Sequence, residues 1–93
     1  MSITRINEFQ AQDGQGDALR DLIQSFVPMI TASEGCQSCQ LLQGRDDPTR
    51  IIVIEVWDST EAHQASMKNI PPSALGQAMK LLAGPPKGAY FHS

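Results

Sequence analysis

Few side chains in this sequence can do acid–base or redox chemistry near neutral pH. The two histidines, His63 and His92, titrate near pH 7 without help from neighbours, so either could act as a general base. Cys36 and Cys39 form a C-x-x-C pair. That spacing is typical of a redox pair at the start of a helix, or of one half of a zinc site.

The context of the two cysteines favours ordinary reduced thiols. The sequence holds no second cysteine pair, and the residues after Cys39 are typical of a strand or turn rather than a helix start. If Cys36 and Cys39 share one strand, their offset of three places them on opposite faces, about 10 Å apart. A disulfide needs Cα atoms within about 7 Å. A metal site or a redox role remains the alternative.

The composition restricts the class of protein. The chain has 93 residues, 41% hydrophobic and 18% charged, so residues 1–93 are expected to form a single domain with one core. Its formal net charge is -3 and its seven basic residues are scattered singly, so we expect no nucleic-acid partner. The longest aliphatic run, residues 51–54, is far shorter than the ~20 residues that span a bilayer. The N-terminus also lacks the apolar stretch of a signal peptide, so we expect a cytoplasmic protein with no membrane partner.

Four segments have the alternating or continuously apolar patterns of β-strands. They are residues 3–9, 36–43, 50–57 and 89–92. The last of these is expected to close the sheet edge or to reach a partner subunit. Two helical regions separate the strands, in the order strand, helix, strand, strand, helix pair, strand. This order is typical of the ferredoxin-like split βαβ fold, an α+β arrangement with a four-stranded antiparallel sheet and helices on one face.

The helices carry their own boundary signals. Apolar residues at steps of three and four predict a first helix over residues 19–30, kinked at Pro28 and ended by Gly35 as a left-handed cap. The second helical region begins with the spacing of a capping box, in which Asp58 caps the helix and Glu61 reaches back. It is interrupted by two prolines before a further short helix.

The third predicted strand also bears on assembly. In an antiparallel sheet with one solvated face, a central strand should alternate apolar and polar side chains. Residues 51–54 are apolar on both faces. A second copy of the sheet is the simplest cover for the face without helices, so the sequence predicts a homodimer with its sheets packed face to face.

Two blocks of sequence resemble a known family. Residues 33–36 read S-E-G-C, and residues 55–63 read E-V-W-D-S-T-E-A-H. They are similar to the E-G-C and E-x-W-x-S-x-x-A-H motifs of the antibiotic biosynthesis monooxygenase family. The resemblance covers nearly the whole chain and implies a dimeric ferredoxin-like fold with a pocket between sheet and helices. It implies less about the reaction, since members carry out quinol oxidation, polyketide oxidation, haem degradation and isomerisation of signal molecules.

The sequence departs from this family at the second helical region. Many members carry a second histidine three residues after the first, where this chain has Ser66. The haem-degrading members need an asparagine on the first strand, which Asn7 matches. Their helix tryptophan would fall at Ser66 and their histidine near Gly76, so two of three residues are absent. Haem degradation is therefore not expected.

Oxygenation without a cofactor is chemically open to such a protein. Ground-state O₂ is a triplet, so a closed-shell substrate must itself supply an electron, as deprotonated phenols, quinols and enolisable polyketides can. The protein then needs a base with a pKa near neutral, hydrogen-bond donors and a water-poor pocket. Residues 14–16 read G-Q-G and lack the third glycine of a dinucleotide site, so no flavin or nicotinamide is expected. The sequence has no second cysteine pair and no other cofactor motif, so no metal is expected either.

The leading function is therefore a small cofactor-independent monooxygenase that acts on a phenolic, quinol-like or polyketide molecule. The alternative is a non-catalytic dimeric protein of the same fold that binds a hydrophobic or aromatic small molecule or has a stress-related role. The two differ in whether a bound quinol consumes oxygen.

Five side chains are candidates for the site, with His63 and Asn7 as catalytic residues and Trp57, Glu55 and Ser66 as substrate-binding residues. His63 lies on a helical stripe that should face the sheet; its structural alternative is a buried histidine bonded to backbone. Asn7 could donate to a substrate oxygen or be a surface amide. Trp57 could stack on a ring or fill the core, and Glu55 could line the cavity or form an ion pair. Ser66 could supply a hydroxyl or only fill space.

Overall fold

The computed structural model describes residues 2–93 and contains one four-stranded antiparallel sheet with helices on one face. The strands are β1 (Ile3–Gln10), β2 (Cys36–Gln43), β3 (Arg50–Trp57) and β4 (Lys87–Phe91), in the spatial order β2-β3-β1-β4. The helices are α1 (Gly16–Gln24), α2 (Val27–Thr31), α3 (Thr60–Ser66) and α4 (Pro72–Leu81), with a 3₁₀ turn at Met67–Asn69 after α3. The predicted α+β ferredoxin-like fold is confirmed.

The strand register decides which side chains meet on the sheet. β1 pairs with β3 so that Arg5 lies opposite Glu55, and with β4 so that Arg5 lies opposite Tyr90 and Asn7 opposite Gly88. Alternate residues of a strand point to the same face. Tyr90, Arg5 and Glu55 therefore form one row across three strands on the face that the helices cover, which we call the inner face.

The core lies between the inner face and the helices. Along β3 every second residue is buried and the residues between them are partly exposed. The buried apolar side chains that pack together are Ala11, Leu19, Ile23, Ile51, Val53 and Leu82. Removing such side chains from water is the main favourable term in folding, and it fixes the face that each strand turns to the helices.

The opposite face of the sheet, which we call the open face, carries apolar side chains that no element of residues 2–93 covers. Strand alternation places Ile6, Ile52, Ile54, Val56, Leu42 and Phe91 there. Leu42 and Phe91 are 44% and 49% exposed. A sheet with one solvated face usually presents polar residues on it. The apolar character that the sequence predicted for both faces of β3 is therefore present.

The first helical region is divided, rather than kinked at Pro28 as predicted. The amide of Ser25 donates to the Leu22 carbonyl and that of Phe26 to the Ile23 carbonyl, and these bonds tighten the last turn and end α1. Pro28 lies in the first turn of α2, where its missing N–H costs no helical hydrogen bond. Gly35 has a φ of +85°, as predicted for a left-handed cap.

The predicted cap of the second helical region is wrong by one residue. Ser59, not Asp58, is the N-cap of α3, and its hydroxyl accepts a hydrogen bond from the Ala62 amide. The Asp58 carboxylate instead accepts from Gln37 on β2. Ser59 has the extended backbone that an N-cap needs, and Glu61 therefore lies too early in the helix for the predicted capping box.

The prediction for the two cysteines is also corrected. Cys36 lies opposite Trp57 and Cys39 opposite Glu55, and a register shift between Cys36 and Ser38 inserts one extra residue. Because Trp57 and Glu55 share a face of β3, this β-bulge places both cysteines on the inner face, not on opposite faces. Both are free thiols in the structure.

Candidate active site

A cavity of about 270 Å³ lies between the inner face and the helices, where the family resemblance implied a pocket. Its walls are mostly apolar, and the contributors from the helical side include Phe26, Ile30, Met67, Ile70 and Leu75. The polar and charged side chains Arg5, Asn7, Glu55, His63 and Ser66 also line it. This combination of an apolar wall and a few convergent polar groups is typical of a small-molecule site.

His63 owes its position to the short connection between β3 and α3. The Ser59 cap starts α3 close after β3 ends, so the first turn of the helix carries His63 back over the strand. The imidazole is only 6% exposed, and its Nδ1 lies 2.7 Å from the Tyr90 hydroxyl oxygen. Its ring meets the Trp57 ring edge to face, with 5.5 Å between centroids. Burial, followed by the nearby positive charge of Arg5, lowers the pKa of His63.

Glu55 is a carboxyl group that is 5% exposed at the floor of the cavity. Its Oε1 accepts a hydrogen bond of 2.8 Å from the Trp57 indole, and its Oε2 accepts one of 3.0 Å from the Asn7 amide. Burial raises the pKa of Glu55, although the bond from Trp57, the charge of Arg5 and the bond from Asn7 act in the opposite direction.

His63 and Glu55 do not form a closed ion pair. Nε2 of His63 lies 3.9 Å from Oε1 of Glu55, which is too far for a hydrogen bond. The pKa of His63 is lowered and that of Glu55 is raised, so each group is biased towards its neutral form. A neutral imidazole can take up a proton, and a carboxylate at this distance would stabilise the resulting imidazolium.

Two residues of the site, Arg5 and Tyr90, were not among the predicted candidates. Nε of Arg5 donates to Oδ1 of Asn7 at 3.0 Å, and the guanidinium carbon lies 4.7 Å from the centre of the Tyr90 ring. The alternation of residues 3–9 did place Arg5 on the same face as Asn7. No pattern in the short last strand indicated that Tyr90 would reach His63.

The structure brings together four of the five predicted candidates. His63, Asn7, Glu55 and Ser66 all line the cavity, and the Ser66 hydroxyl donates to the His63 carbonyl oxygen at 2.6 Å. Trp57 is fully buried behind Glu55 and is not among the lining residues. It therefore orients Glu55 and does not form the cavity wall.

Residues 2–93 contain neither a cluster of metal-ligating side chains nor a helix that could span a membrane. Within residues 2–93, no group of three or more histidine, cysteine, aspartate or glutamate side chains is placed to hold a metal. Over the same residues, no helix has the length and apolar character needed to cross a bilayer.

Comparison with known proteins gives a family match over most of the chain. Residues 2–72 match the family model described as antibiotic biosynthesis monooxygenase. No curated protein matches the chain.

Solved structures show the same fold. Rv0793 from Mycobacterium tuberculosis is 21% identical with a TM-score of 0.84, covering 100% of this chain and 95% of its own. PA3566 from Pseudomonas aeruginosa is 23% identical with a TM-score of 0.84, over 99% and 93%. SnoaB from Streptomyces nogalater, a cofactor-independent oxygenase, is 17% identical with a TM-score of 0.80, over 99% and 92%.

Proposed function

Because the chain belongs to the antibiotic biosynthesis monooxygenase family, we propose that it is a small monooxygenase that needs no cofactor. Its substrate is a phenolic, quinol-like or polyketide small molecule. The observation that carries the proposal is the apolar cavity in which a buried histidine of lowered pKa lies beside Asn7 and Glu55. The similar structure of SnoaB, a cofactor-independent oxygenase, supports the reaction class.

His63 acts as the general base. In the tautomer whose Nδ1–H donates to the Tyr90 hydroxyl oxygen, Nε2 is unprotonated and can accept the acidic proton of the substrate. Glu55 then stabilises the imidazolium from 3.9 Å. Tyr90 thus holds the ring at Nδ1, and Glu55 lies on the side of Nε2, the nitrogen that receives the substrate proton.

The substrate supplies the electrons. Once deprotonated, it transfers one electron to O₂, and the two radicals combine to form a carbon–oxygen bond. The resulting peroxide anion takes the proton back from His63, and the hydroperoxide so formed loses water, so that a CH₂ group and O₂ become a carbonyl group and water. The apolar wall keeps bulk water away from the carbanion and the radicals.

Asn7 donates to the oxygen on which negative charge develops. One N–H of its amide is bonded to Glu55, and its carbonyl oxygen accepts from Arg5, so the side chain is held at both ends. The second N–H is available to a ligand in the cavity. A donor fixed in this way stabilises an enolate without having to reorganise.

The test is oxygen uptake with hydroquinones, naphthoquinols and enolisable polyketide analogues, in the presence of a chelator. We expect His63→Ala to lower the rate by about 10²–10⁴-fold, because it removes the base. His92→Ala is the matched control, since His92 is exposed near the C-terminus and does not line the cavity. Full activity in folded His63→Ala contradicts the assigned base, and loss of wild-type activity with chelator contradicts the cofactor-free reaction. Binding without oxygen uptake by any substrate supports the non-catalytic small-molecule-binding alternative.

We also propose that the protein is a homodimer that pairs through the open face. Support comes from the apolar side chains of that face, among them Ile54, Val56 and Phe91, which no element of residues 2–93 covers. Hydrophobic burial between two such faces would provide the favourable term for association.

A further inference from the structure

We infer that the Arg5 guanidinium binds an anionic group of the ligand, and that this ligand is an apolar ring compound carrying a carboxylate. The inference deepens the proposed function, because it names a feature of the substrate for the same cavity. Arg5 is partly buried and lines the cavity. Within residues 2–93 the one hydrogen bond of the Arg5 side chain is from Nε to Asn7, and no carboxylate lies within 4.0 Å of the guanidinium.

The guanidinium is held in one orientation by three neighbours. Asn7 accepts from Nε at 3.0 Å, and the ring of Tyr90 lies 4.7 Å from the guanidinium carbon. Gly88 provides the space on the third side, because a Cβ atom there would collide with Nη2 of Arg5 and approach Oδ1 of Asn7 to 2.7 Å. None of the three neighbours carries a negative charge at neutral pH. The Arg5 guanidinium is thus held in a fixed orientation without an anionic partner, and this arrangement suits it to bind an anion.

Glu55, the acidic residue of the site, lies within range of the positive charge of Arg5 but accepts no hydrogen bond from it. Glu55 lies opposite Arg5 in the strand register, yet its two oxygens accept from Trp57 and Asn7. The terminal nitrogens Nη1 and Nη2 of Arg5 remain without a hydrogen-bond acceptor from residues 2–93. A planar guanidinium presents two parallel N–H groups, and a carboxylate matches them with two oxygens.

The wall and the volume of the cavity restrict the polarity and the size of the rest of the ligand. Its wall is mostly apolar, and its volume of about 270 Å³ is near the lower end of the ~300–1,000 Å³ usual for small-molecule pockets. A compact ring system fits such a wall, and one anionic group at its edge would meet Arg5. Burying that anion without a cationic partner would be costly, so the charge of Arg5 should determine which ligands enter.

The experiment compares two ligands that share a ring system and differ in charge. The probes are 2-naphthoate and its neutral counterpart 2-naphthalenemethanol, with dissociation constants measured by titration calorimetry. Because a charge-assisted hydrogen bond is stronger than a neutral one, we expect wild type to prefer 2-naphthoate by about 10-fold or more. Arg5→Gln should remove this preference and leave the affinity for the alcohol within about 3-fold.

Arg45→Gln is the matched control, since it makes the same substitution on an exposed arginine between β2 and β3 that does not line the cavity. It should keep the preference for 2-naphthoate. Gly88→Ala keeps the charge of Arg5 but displaces the guanidinium, and it should lower the preference even if Arg5→Gln does not fold. Circular dichroism of each variant establishes which of them are folded.

The inference is overturned if wild type binds neither probe, binds both equally, or keeps its preference in folded Arg5→Gln. It is also overturned if the preference is lost in Lys87→Gln instead, because Lys87 is the other basic residue at the cavity. Neither probe has to react with oxygen. If the protein prefers 2-naphthoate but consumes no oxygen with any of the quinol or polyketide substrates, only the proposed monooxygenase activity is rejected. If it consumes oxygen with those substrates but shows no preference for 2-naphthoate, only this inference is rejected.

Discussion

His63 should titrate below the ordinary histidine range, because its pKa is lowered in the folded protein. The groups that face it are Tyr90 from β4, Glu55 from β3 and Arg5 from β1, and burial is the largest cause of its lowered pKa. An NMR titration of the imidazole should give a midpoint below 6.5. Arg5→Gln should raise that midpoint, because it removes the positive charge that opposes protonation. A midpoint at or above 6.5 in the wild type would show that Glu55 stabilises the imidazolium more than burial destabilises it.

The lowered pKa of His63 should also make the stability of the folded protein depend on pH. The unfolded chain binds a proton on His63 more readily than the folded protein does, so His63 contributes stability in full above about pH 6.5 and loses it on acidification through its folded pKa. The contribution of Glu55 to stability depends on pH in the opposite direction. Because its pKa is raised in the folded protein, Glu55 contributes stability below about pH 4.5, and this stability is lost as the pH rises through the folded pKa.

Urea unfolding of Glu55→Gln isolates the histidine contribution. As the pH is lowered from about 7 to 5, we expect the free energy of unfolding of Glu55→Gln to fall more steeply than that of the double variant Glu55→Gln/His63→Gln, because only the single variant retains His63. Equal slopes in the two proteins would mean that His63 has the same pKa in the folded and unfolded states.

The two thiols should differ in reactivity. Burial raises the pKa of both cysteines, and for Cys39 to about 12. At pH 8 the thiolate fraction of Cys39 is then on the order of 10⁻⁴, and the thiolate is the reactive form. Native Cys36→Ser, which retains Cys39, should react with a disulfide reagent more slowly than native Cys39→Ser. In denaturant the two rates should agree, and the wild type should show two thiols; finding none would indicate a disulfide.

The alternation along a strand predicts which face of the sheet each side chain occupies, but not which residue lies opposite it on the neighbouring strand. Asn7 and Glu55 were both expected near the site, yet their hydrogen bond joins residues that are 48 positions apart. It depends on the register of β1 against β3, which the alternation of either strand alone does not determine. Tyr90 was missed for the same reason, because its contact with His63 depends on where β4 docks beside β1.

The helix and strand boundaries were predicted well where the sequence pattern is strong and poorly where it is weak. The apolar run of β3 fixed its bounds at Arg50–Trp57, as predicted. In β2 the extra residue Gln37 is polar and exposed like Ser38 after it, so nothing in the pattern shows the bulge. The start of α3 was ambiguous because Asp58 and Ser59 are both good N-cap residues, and only the observed backbone selects Ser59.

The corrected cap of α3 makes a prediction about stability. Ser59→Ala removes the acceptor for the Ala62 amide and should lower the free energy of unfolding by about 1 kcal/mol. Asp58→Ala is the matched control; it removes only an exposed hydrogen bond to Gln37 and should stay within about 0.5 kcal/mol of wild type. Denaturant melts of the two variants measure both changes. The reverse order of effects would restore Asp58 as the cap.

The inner face and the open face of the sheet carry different groups of side chains. The inner face forms the cavity together with the helices, and all the polar groups of the proposed site lie on that side. The open face shares no side chain with the proposed catalytic groups, because strand alternation separates them. Assembly through the open face would therefore leave the cavity within each protomer.

The homodimer can be tested by placing a charge at the centre of the open face. Ile54 lies opposite Ile6 on β1 and Gln40 on β2, so Ile54→Glu would bury a carboxylate between two sheets. Wild type should sediment as a dimer at micromolar concentration and bury at least ~1,200 Å² in total. Ile54→Glu should raise the dimer dissociation constant by 10-fold or more, because an unpaired charge is costly to bury.

Met79→Glu is the control for the added charge, since Met79 is 61% exposed on α4, on the helical side of the sheet. It should remain dimeric. Because the cavity lies on the inner face, Ile54→Glu should still bind 2-naphthoate with an affinity close to that of wild type. A monomeric wild type, or an Ile54→Glu protein that dimerises as tightly as wild type, would show that the open face is not the interface. Loss of 2-naphthoate binding in monomeric, folded Ile54→Glu would show instead that the cavity depends on the second copy.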